Sequence, residues 1–201
     1  MNPYQVIKDF ETALSKYTGA PYVVCVNSCT AAIMLALKWH NRQWNMEWEI
    51  KIPKHTYCSV PMAIINAGCK LKFIDKEWSR QYKLEPLPIW DCARRFTSGM
   101  YVTDQYQCIS FSSSKILGME QGGAILHDNL EADAWFRRMR FDGRTEGVDP
   151  KDDTFDLIGY HVPMLPSVAA QGILRLYHLP KHNPDMPDYD YPDLSKHEAF
   201  K

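Results

Sequence analysis

Short apolar runs alternate along this chain with stretches in which apolar residues recur every three to four positions, and this alternation sets the expected elements. Tyr4, Ile7, Phe10, Ala13, Leu14 and Tyr17 fall at helical spacing and predict a helix over 3–17 that stops near Gly19 and Pro21. Tyr22-Val-Val-Cys-Val26 reads as a short buried strand. It feeds Asn27-Ser-Cys-Thr-Ala-Ala-Ile-Met-Leu-Ala-Leu-Lys38, where Ser and Thr stand in the capping position ahead of a nearly all-apolar helix. Residues 49–53 and 70–75 read as further strands, and 58–67 as a helix with Pro61 in its first turn and Gly68 at its end. Strands are also expected at 87–91, at the run from Cys108 and at 123–127, with helices over 130–139 and 167–178. Residues 140–166, punctuated by Gly143, Gly147, Pro150, Gly159 and Pro163, lack periodicity and read as a long loop.

Strands alternating with helices predict an α/β fold of three layers, α/β/α, with a mostly parallel sheet whose ligand sites gather at the carboxyl ends of the strands. A chain of 201 residues suffices for one domain, expected over 1–180, followed by a Pro-, Asp- and Tyr-rich extended tail over 181–201.

Charge narrows the choice of function. With 23 basic and 24 acidic residues, nothing favours nucleic acid or an anionic membrane, and small-molecule chemistry is left as the expectation. No apolar run approaches the length of a membrane span, and the first ten residues lack the basic flank and apolar core of a signal peptide, so a soluble cytoplasmic protein is expected. The six cysteines, 25, 29, 58, 69, 92 and 108, sit mostly in apolar runs without a CxxC pair, which fits reduced core thiols; no metal site is expected.

The candidate chemistry centres on Cys108-Ile-Ser-Phe-Ser-Ser-Ser-Lys115, where a strand ends in hydroxyl donors and an amine. A lysine in a polar loop has the same local sequence, so the case rests on the other groups in the chain. Pyridoxal phosphate (PLP) chemistry needs an imine-forming lysine, a carboxylate at the ring nitrogen, a phosphate cup and a flat group on the ring face. Lys115 would carry the imine and shuttle the substrate α-proton. Asp91, at a strand end, would keep the ring nitrogen protonated. Ser28, Cys29 and Thr30 at a helix start, with Ser110, would bind the phosphate, and Tyr57 would stack on the ring.

The same blocks, in order over residues 4–178, resemble the DegT/DnrJ/EryC1/StrS sugar aminotransferases, fold-type I PLP enzymes. Tyr22 to Ile33 is similar to the family's phosphate turn, and Pro53-Lys-His-Thr-Tyr-Cys-Ser59 to its ring-stacking loop. Trp90-Asp-Cys-Ala-Arg94 is similar to its Glu-Asp-Ala-Ala-Gln motif, and Ser110-Phe-Ser-Ser-Ser-Lys115 to its lysine motif. Gly122-Gly-Ala-Ile125, Arg140-Phe-Asp-Gly143 and Gly159-Tyr-His-Val-Pro-Met164 continue the register.

The resemblance implies an aminotransferase that moves an amino group, commonly from glutamate, to a keto-sugar linked to a nucleotide, in a cytoplasmic homodimer with shared sites. It also implies that His161, where the family usually has Asn, reaches the partner's phosphate. Cys29 stands for the phosphate-turn glycine, Arg94 for the usual Gln or His near the cofactor, and Pro163 for an Arg. Only residues 76–89 separate the third strand from Asp91, which predicts a narrower sheet, and the family's smaller C-terminal domain has no counterpart in these residues. Arg94, Arg95, Arg140 and Arg144 form the cationic inventory expected near the cofactor. Elimination or dehydration on the same cup, or a non-catalytic partner subunit, are the alternatives; Lys115 argues against the dehydratases, where the family is expected to carry histidine.

Overall fold

The computed structural model of the chain describes residues 4–44 and 47–200. The expected elements are present in order: α1 (Gln5–Thr18), β1 (Tyr22–Val26), α2 (Cys29–Trp44), β2 (Glu49–Pro53), α3 (Ser59–Asn66) and β3 (Lys70–Ile74). After them come β4 (Tyr82–Leu84), β5 (Ile89–Asp91), β6 (Tyr106–Ser110), β7 (Gly123–His127), α4 (Leu130–Met139) and α5 (Pro166–His178). Of these, β4 has no counterpart in the sequence reading.

The main sheet runs in the order β1-β7-β6-β5-β4, and β2 pairs in parallel with β3. Lys51 of β2 forms an antiparallel bridge with Glu85, just past β4, through N–H to carbonyl bonds of 2.8 and 3.1 Å, so the two sheets join edge to edge. Traced through these pairings, β1, β2, β3, β5 and β6 run one way and β4 and β7 run the other. The mostly parallel expectation therefore holds for strand direction. It needs two reversals: β7 inserts antiparallel between β1 and β6, and β4 folds back on β5 as a hairpin. That hairpin fills the gap between β5 and β2 that the short 76–89 spacing was expected to close by narrowing the sheet.

Helices cover both faces, and period-two alternation of the strands assigns each side chain to one core. Val24, Val26, Cys108 and Ile125 point into the core under α2, α3 and α4. Val23, Cys25, Ile109 and Ala124 point into the other, under α1 and α5. Helices α1 and α5 can close on each other because residue 172 is glycine: a Cβ there would lie 2.5 Å from the Phe10 ring.

Several charges buried beside α1 form one network. Glu11 of α1 accepts hydrogen bonds from Arg137, Arg140 and the Cys25 N–H, and Arg140 also binds Glu146. Burial pushes the Glu11 carboxyl up, but the Arg140 and Arg137 charges outweigh it and hold its pKa below the ordinary value. Removing one partner from such a buried cluster costs about 3–5 kcal/mol, since the rest are left buried and unpaired. The network ties α1 to β1 and α4, away from the sheet edge where the site forms.

Candidate functional site

The carboxyl ends of β1, β2, β5 and β6 open into a cavity of 840 Å³. Each of those strands delivers a group expected from the sequence. Past β1, Ser28, Cys29 and Thr30 lead into α2 and line the cavity. The Ser28 hydroxyl caps the helix by accepting from Ala31 N–H at 3.1 Å, and the Thr30 hydroxyl lies 2.7 Å from that of Ser59. This helix start sits directly on the sheet. A Cβ at residue 123 would come within 2.5 Å of Cys29 N, so only glycine lets β7 pass beneath the turn.

Past β2 comes Tyr57, largely exposed, on the cavity wall. Strand β5 ends at Asp91, which is 6 % exposed. Its Oδ1 accepts from Ala93 N–H at 2.9 Å, and it takes a hydrogen bond from the hydroxyl of Tyr82, its register partner on β4. The Tyr82 hydroxyl is in turn 2.6 Å from that of Thr56. Burial raises the Asp91 pKa, opposed by the Ala93 N–H, the Tyr82 hydroxyl and the Lys115 charge. Among the described residues no cation forms a salt bridge with it, so its charge is directed at the cavity.

Past β6, Ser110 and Lys115 line the same cavity. Lys115 lies in the loop from β6 to β7, which is closed by Phe111 N–H to Gly122 O at 2.9 Å and Met119 N–H to Phe111 O at 2.6 Å. Buried Phe111, Leu117 and Met119 fasten this loop to the core, and Lys115 N–H binds Ser112 O at 2.8 Å, so the amine stands on a fixed turn. Its pKa is pushed down, first by burial and then by the Arg94 charge, against the pull of Asp91.

The arginine inventory divides sharply. Arg94 lines the cavity, whereas Arg95 pairs with Asp185 at 2.8 Å, Arg140 is sealed in the Glu11 network, and Arg144 lies over the Phe141 ring beside Asp153. The expectation that these last three serve the site is corrected: each has a carboxylate or ring partner elsewhere. His161 lies outside this chain's cavity, exposed, with Nδ1 2.8 Å from Asp142 Oδ2.

Sequence reasoning also missed one wall. Beyond α5 the chain folds back across the strand ends, with Met186 N–H bound to Arg94 O at 2.9 Å and Leu194 N–H to Lys54 O at 2.9 Å. Asn183 binds the Tyr17 hydroxyl at 2.7 Å, and His55 meets Tyr191 O at 2.8 Å. This strap brings Tyr191 into the cavity, stacked on Trp78 at 6.1 Å and edge-on to Tyr57 at 6.5 Å. All six cysteines are unpaired, with Cys29 on the cavity wall and Cys58 exposed. Among the described residues no helix is long and apolar enough to cross a membrane, and no group of three or more His, Cys, Asp or Glu side chains is placed to hold a metal ion.

The sequence profile of the DegT/DnrJ/EryC1/StrS aminotransferase family matches residues 1–100. The fold is similar to that of the sugar aminotransferase CalS13 from Micromonospora echinospora, at TM-score 0.71 and 17% identity, over 86% of this chain and 61% of that one. It is also similar to NtdA from Bacillus subtilis, solved with bound cofactor PMP, at TM-score 0.68 and 19% identity over 87% of this chain and 48% of that one. A third likeness is to the GDP-4-keto-6-deoxymannose-3-dehydratase ColD with bound GDP-perosamine, at TM-score 0.68 and 18% identity over 87% and 61%. The chain thus spans less than two thirds of the length of these solved structures. No curated protein sequence matches it. Through the profile match over residues 1–100, the chain is similar to the DegT/DnrJ/EryC1/StrS aminotransferase family, and it shares the fold of solved sugar aminotransferases.

Proposed function

We propose that this chain is a PLP-dependent aminotransferase that transfers the amino group of glutamate to a keto-sugar, one carried on a nucleotide. The observation that carries the reading is the convergence of Lys115 and Asp91, an amine and a buried carboxylate without a cation partner, on one cavity with a capped helix start. In the net exchange the donor's C–NH2 becomes C=O and the acceptor's C=O becomes C–NH2, so no outside oxidant or reductant is required.

The residues fit the cofactor in three places. Asp91, desolvated and unpaired, suits a cationic ring nitrogen. The N-terminus of α2 and the hydroxyls of Ser28, Thr30 and Ser110 suit a phosphate, and Gly123 leaves the room that seats this turn on the sheet. Lys115 suits an aldehyde carbon. When bound, PLP supplies the electron sink that lets a substrate Cα–H bond ionise.

Everything else falls to the chain. Lys115 Nζ would take the substrate α-proton and return one to the acceptor carbon; burial and Arg94 favour the neutral amine this role needs. Burial pushes the Asp91 carboxyl up, the Ala93 N–H and the Tyr82 hydroxyl oppose that push and orient it, and a cationic ring nitrogen beside it would favour the carboxylate form. Tyr57 offers its ring to the cofactor face. The strap, with Tyr191 and Met186, limits water at the strand ends.

In a homodimer, exposed His161 would contribute to the partner's phosphate site. The loop that carries it also exposes Ile158 and Phe155, apolar surface of the kind that partners cover. Sedimentation should give a dimer, and a monomer that retains PLP would remove His161 from this role.

The reaction is tested by mixing the PLP-loaded protein with glutamate. The cofactor's visible band should give way to the PMP band with release of 2-oxoglutarate, and a keto-sugar nucleotide should restore it. Release of water or ammonia from a sugar substrate, without amino exchange, would point to elimination chemistry instead. A chain that takes up no PLP would be a non-catalytic partner.

A further inference from the structure

The strap lays a set of aromatic rings along one side of the cavity. Tyr191 is their fixed member. Its carbonyl meets His55 Nδ1 at 2.8 Å, its hydroxyl accepts from Arg94 Nη1 at 3.3 Å, and its ring lies 14° from parallel to that of Trp78 at 6.1 Å. Trp78 is fixed in turn, donating from Nε1 to His55 O at 2.7 Å and packing edge-on to Tyr82 at 4.7 Å. Beside this pair stands Tyr189, its ring 4.8 Å from that of Tyr191 and its carbonyl accepting from Tyr191 N–H at 3.0 Å. The backbone that carries them is bonded at Met186 and at buried Leu194, and Pro187 and Pro192 stiffen the stretch between.

Among the described residues that line the cavity, two aromatic rings are mostly bare: Tyr57 at 57 % and Tyr189 at 67 % exposed. The proposed cofactor uses the first and leaves the second. Exposure climbs from buried Arg94 through half-buried Tyr191 to Tyr189, which places Tyr189 at the rim. A ring already backed by fixed neighbours gives up little freedom when a flat group stacks on its open face. Lys115 lines the same cavity, so a substrate that reacts at the lysine and extends to the rim brings its far end onto this ring.

We propose that Tyr189, backed by Tyr191 and Trp78, is a stacking shelf for the nucleobase of a nucleotide-linked substrate. The inference rests on the reading of the acceptor as a sugar carried on a nucleotide, and it names the part of the chain that holds the base. Both tyrosines lie beyond residue 100, where the match to the family profile ends, so the shelf is a feature of the strap. Stacking is tolerant of base identity because every base has a π-face, so pyrimidine and purine nucleotides are both accepted.

The test compares UMP and GMP with ribose 5-phosphate, which carries a hydroxyl in place of the base. Affinities are measured by titration calorimetry on the wild type, Tyr189→Ala and Tyr189→Phe, in the cofactor-free protein and after loading with PLP, whose phosphate then fills the cup at the α2 turn. The wild type should prefer the nucleotides about tenfold. Tyr189→Ala should lose most of that preference and Tyr189→Phe keep it, with ribose 5-phosphate binding alike in all three. No preference in the wild type, or a preference that survives in Tyr189→Ala, would overturn the shelf. A Tyr189-dependent preference in a protein that exchanges no amino group with glutamate would keep the shelf and remove the aminotransferase reading. Amino exchange without any base preference would do the reverse.

Discussion

Tyr82 on β4 and Asp91 on β5 are register partners, and the phenol hydroxyl reaches across the ladder to the carboxylate while also meeting Thr56 at 2.6 Å. A short hairpin thereby sets the orientation of the buried carboxylate of the site. Tyr82→Phe keeps the ring packed and removes only the hydroxyl. Losing a buried hydrogen bond to a charged group costs about 1.5–3 kcal/mol, and the Asp91 carboxyl should rise further in pKa with one donor gone. The expected outcome is severalfold weaker PLP binding in a still folded protein, measured by titrating absorbance with PLP. Unchanged affinity would mean that Asp91 is held without Tyr82.

The closeness of β7 to the α2 turn gives a second expectation. Gly123→Ala puts a methyl group where Cys29 N and Ser28 C stand 2.5 Å away and Ile109 O 2.8 Å away, all backbone atoms. The turn must lift off the sheet, at a cost of about 1–3 kcal/mol for overpacking. Affinity for PLP should fall far more than affinity for pyridoxal, which lacks the phosphate. An equal loss for both would show that the turn does not hold the phosphate.

His127 makes stability depend on pH. It is fully buried, stacked against Tyr106, and burial lowers its pKa from 6.5 to about 4. Asp133 lies 3.7 Å from its Nε2 and pulls the other way, but Asp133 is already held by Arg137 at 2.8 Å, so burial prevails and the ring is neutral. The unfolded chain binds this proton more readily, so the contribution is complete above 6.5 and is lost as pH falls toward 4. It amounts to at most about 3 kcal/mol. Urea unfolding from pH 7.5 down to 4.5 should therefore steepen less with pH for His127→Phe than for the wild type. Parallel curves for the two proteins would contradict the assignment.

Much of this was legible in the chain because strand ends are legible. Ser28, Asp91, Ser110 and Lys115 each follow an apolar run, and a sheet whose strands mostly run one way brings such residues to one edge whatever their spacing. The β4 strand was not legible: Tyr82-Lys-Leu84 is too short to show a period, and it exists because β5 and β2 stand on either side of it. The strap was missed for a related reason. Its Pro, Asp and Tyr residues have no periodicity, and it is held by distant groups such as Arg94, Lys54 and Tyr17. The arginines misled because charge is visible in a sequence but its partner is not. Arg140 and Arg94 look alike there, yet Glu11 meets one and, among the described residues, no carboxylate forms a salt bridge with the other.

The account turns on Lys115 as the residue that carries the cofactor. Incubating the protein with PLP, reducing with borohydride and mapping the peptides by mass spectrometry tests it directly. The account predicts a pyridoxyl adduct on Lys115 alone, and its disappearance in Lys115→Ala with the fold intact. An adduct on another lysine, or one that persists at full yield in Lys115→Ala, would contradict it.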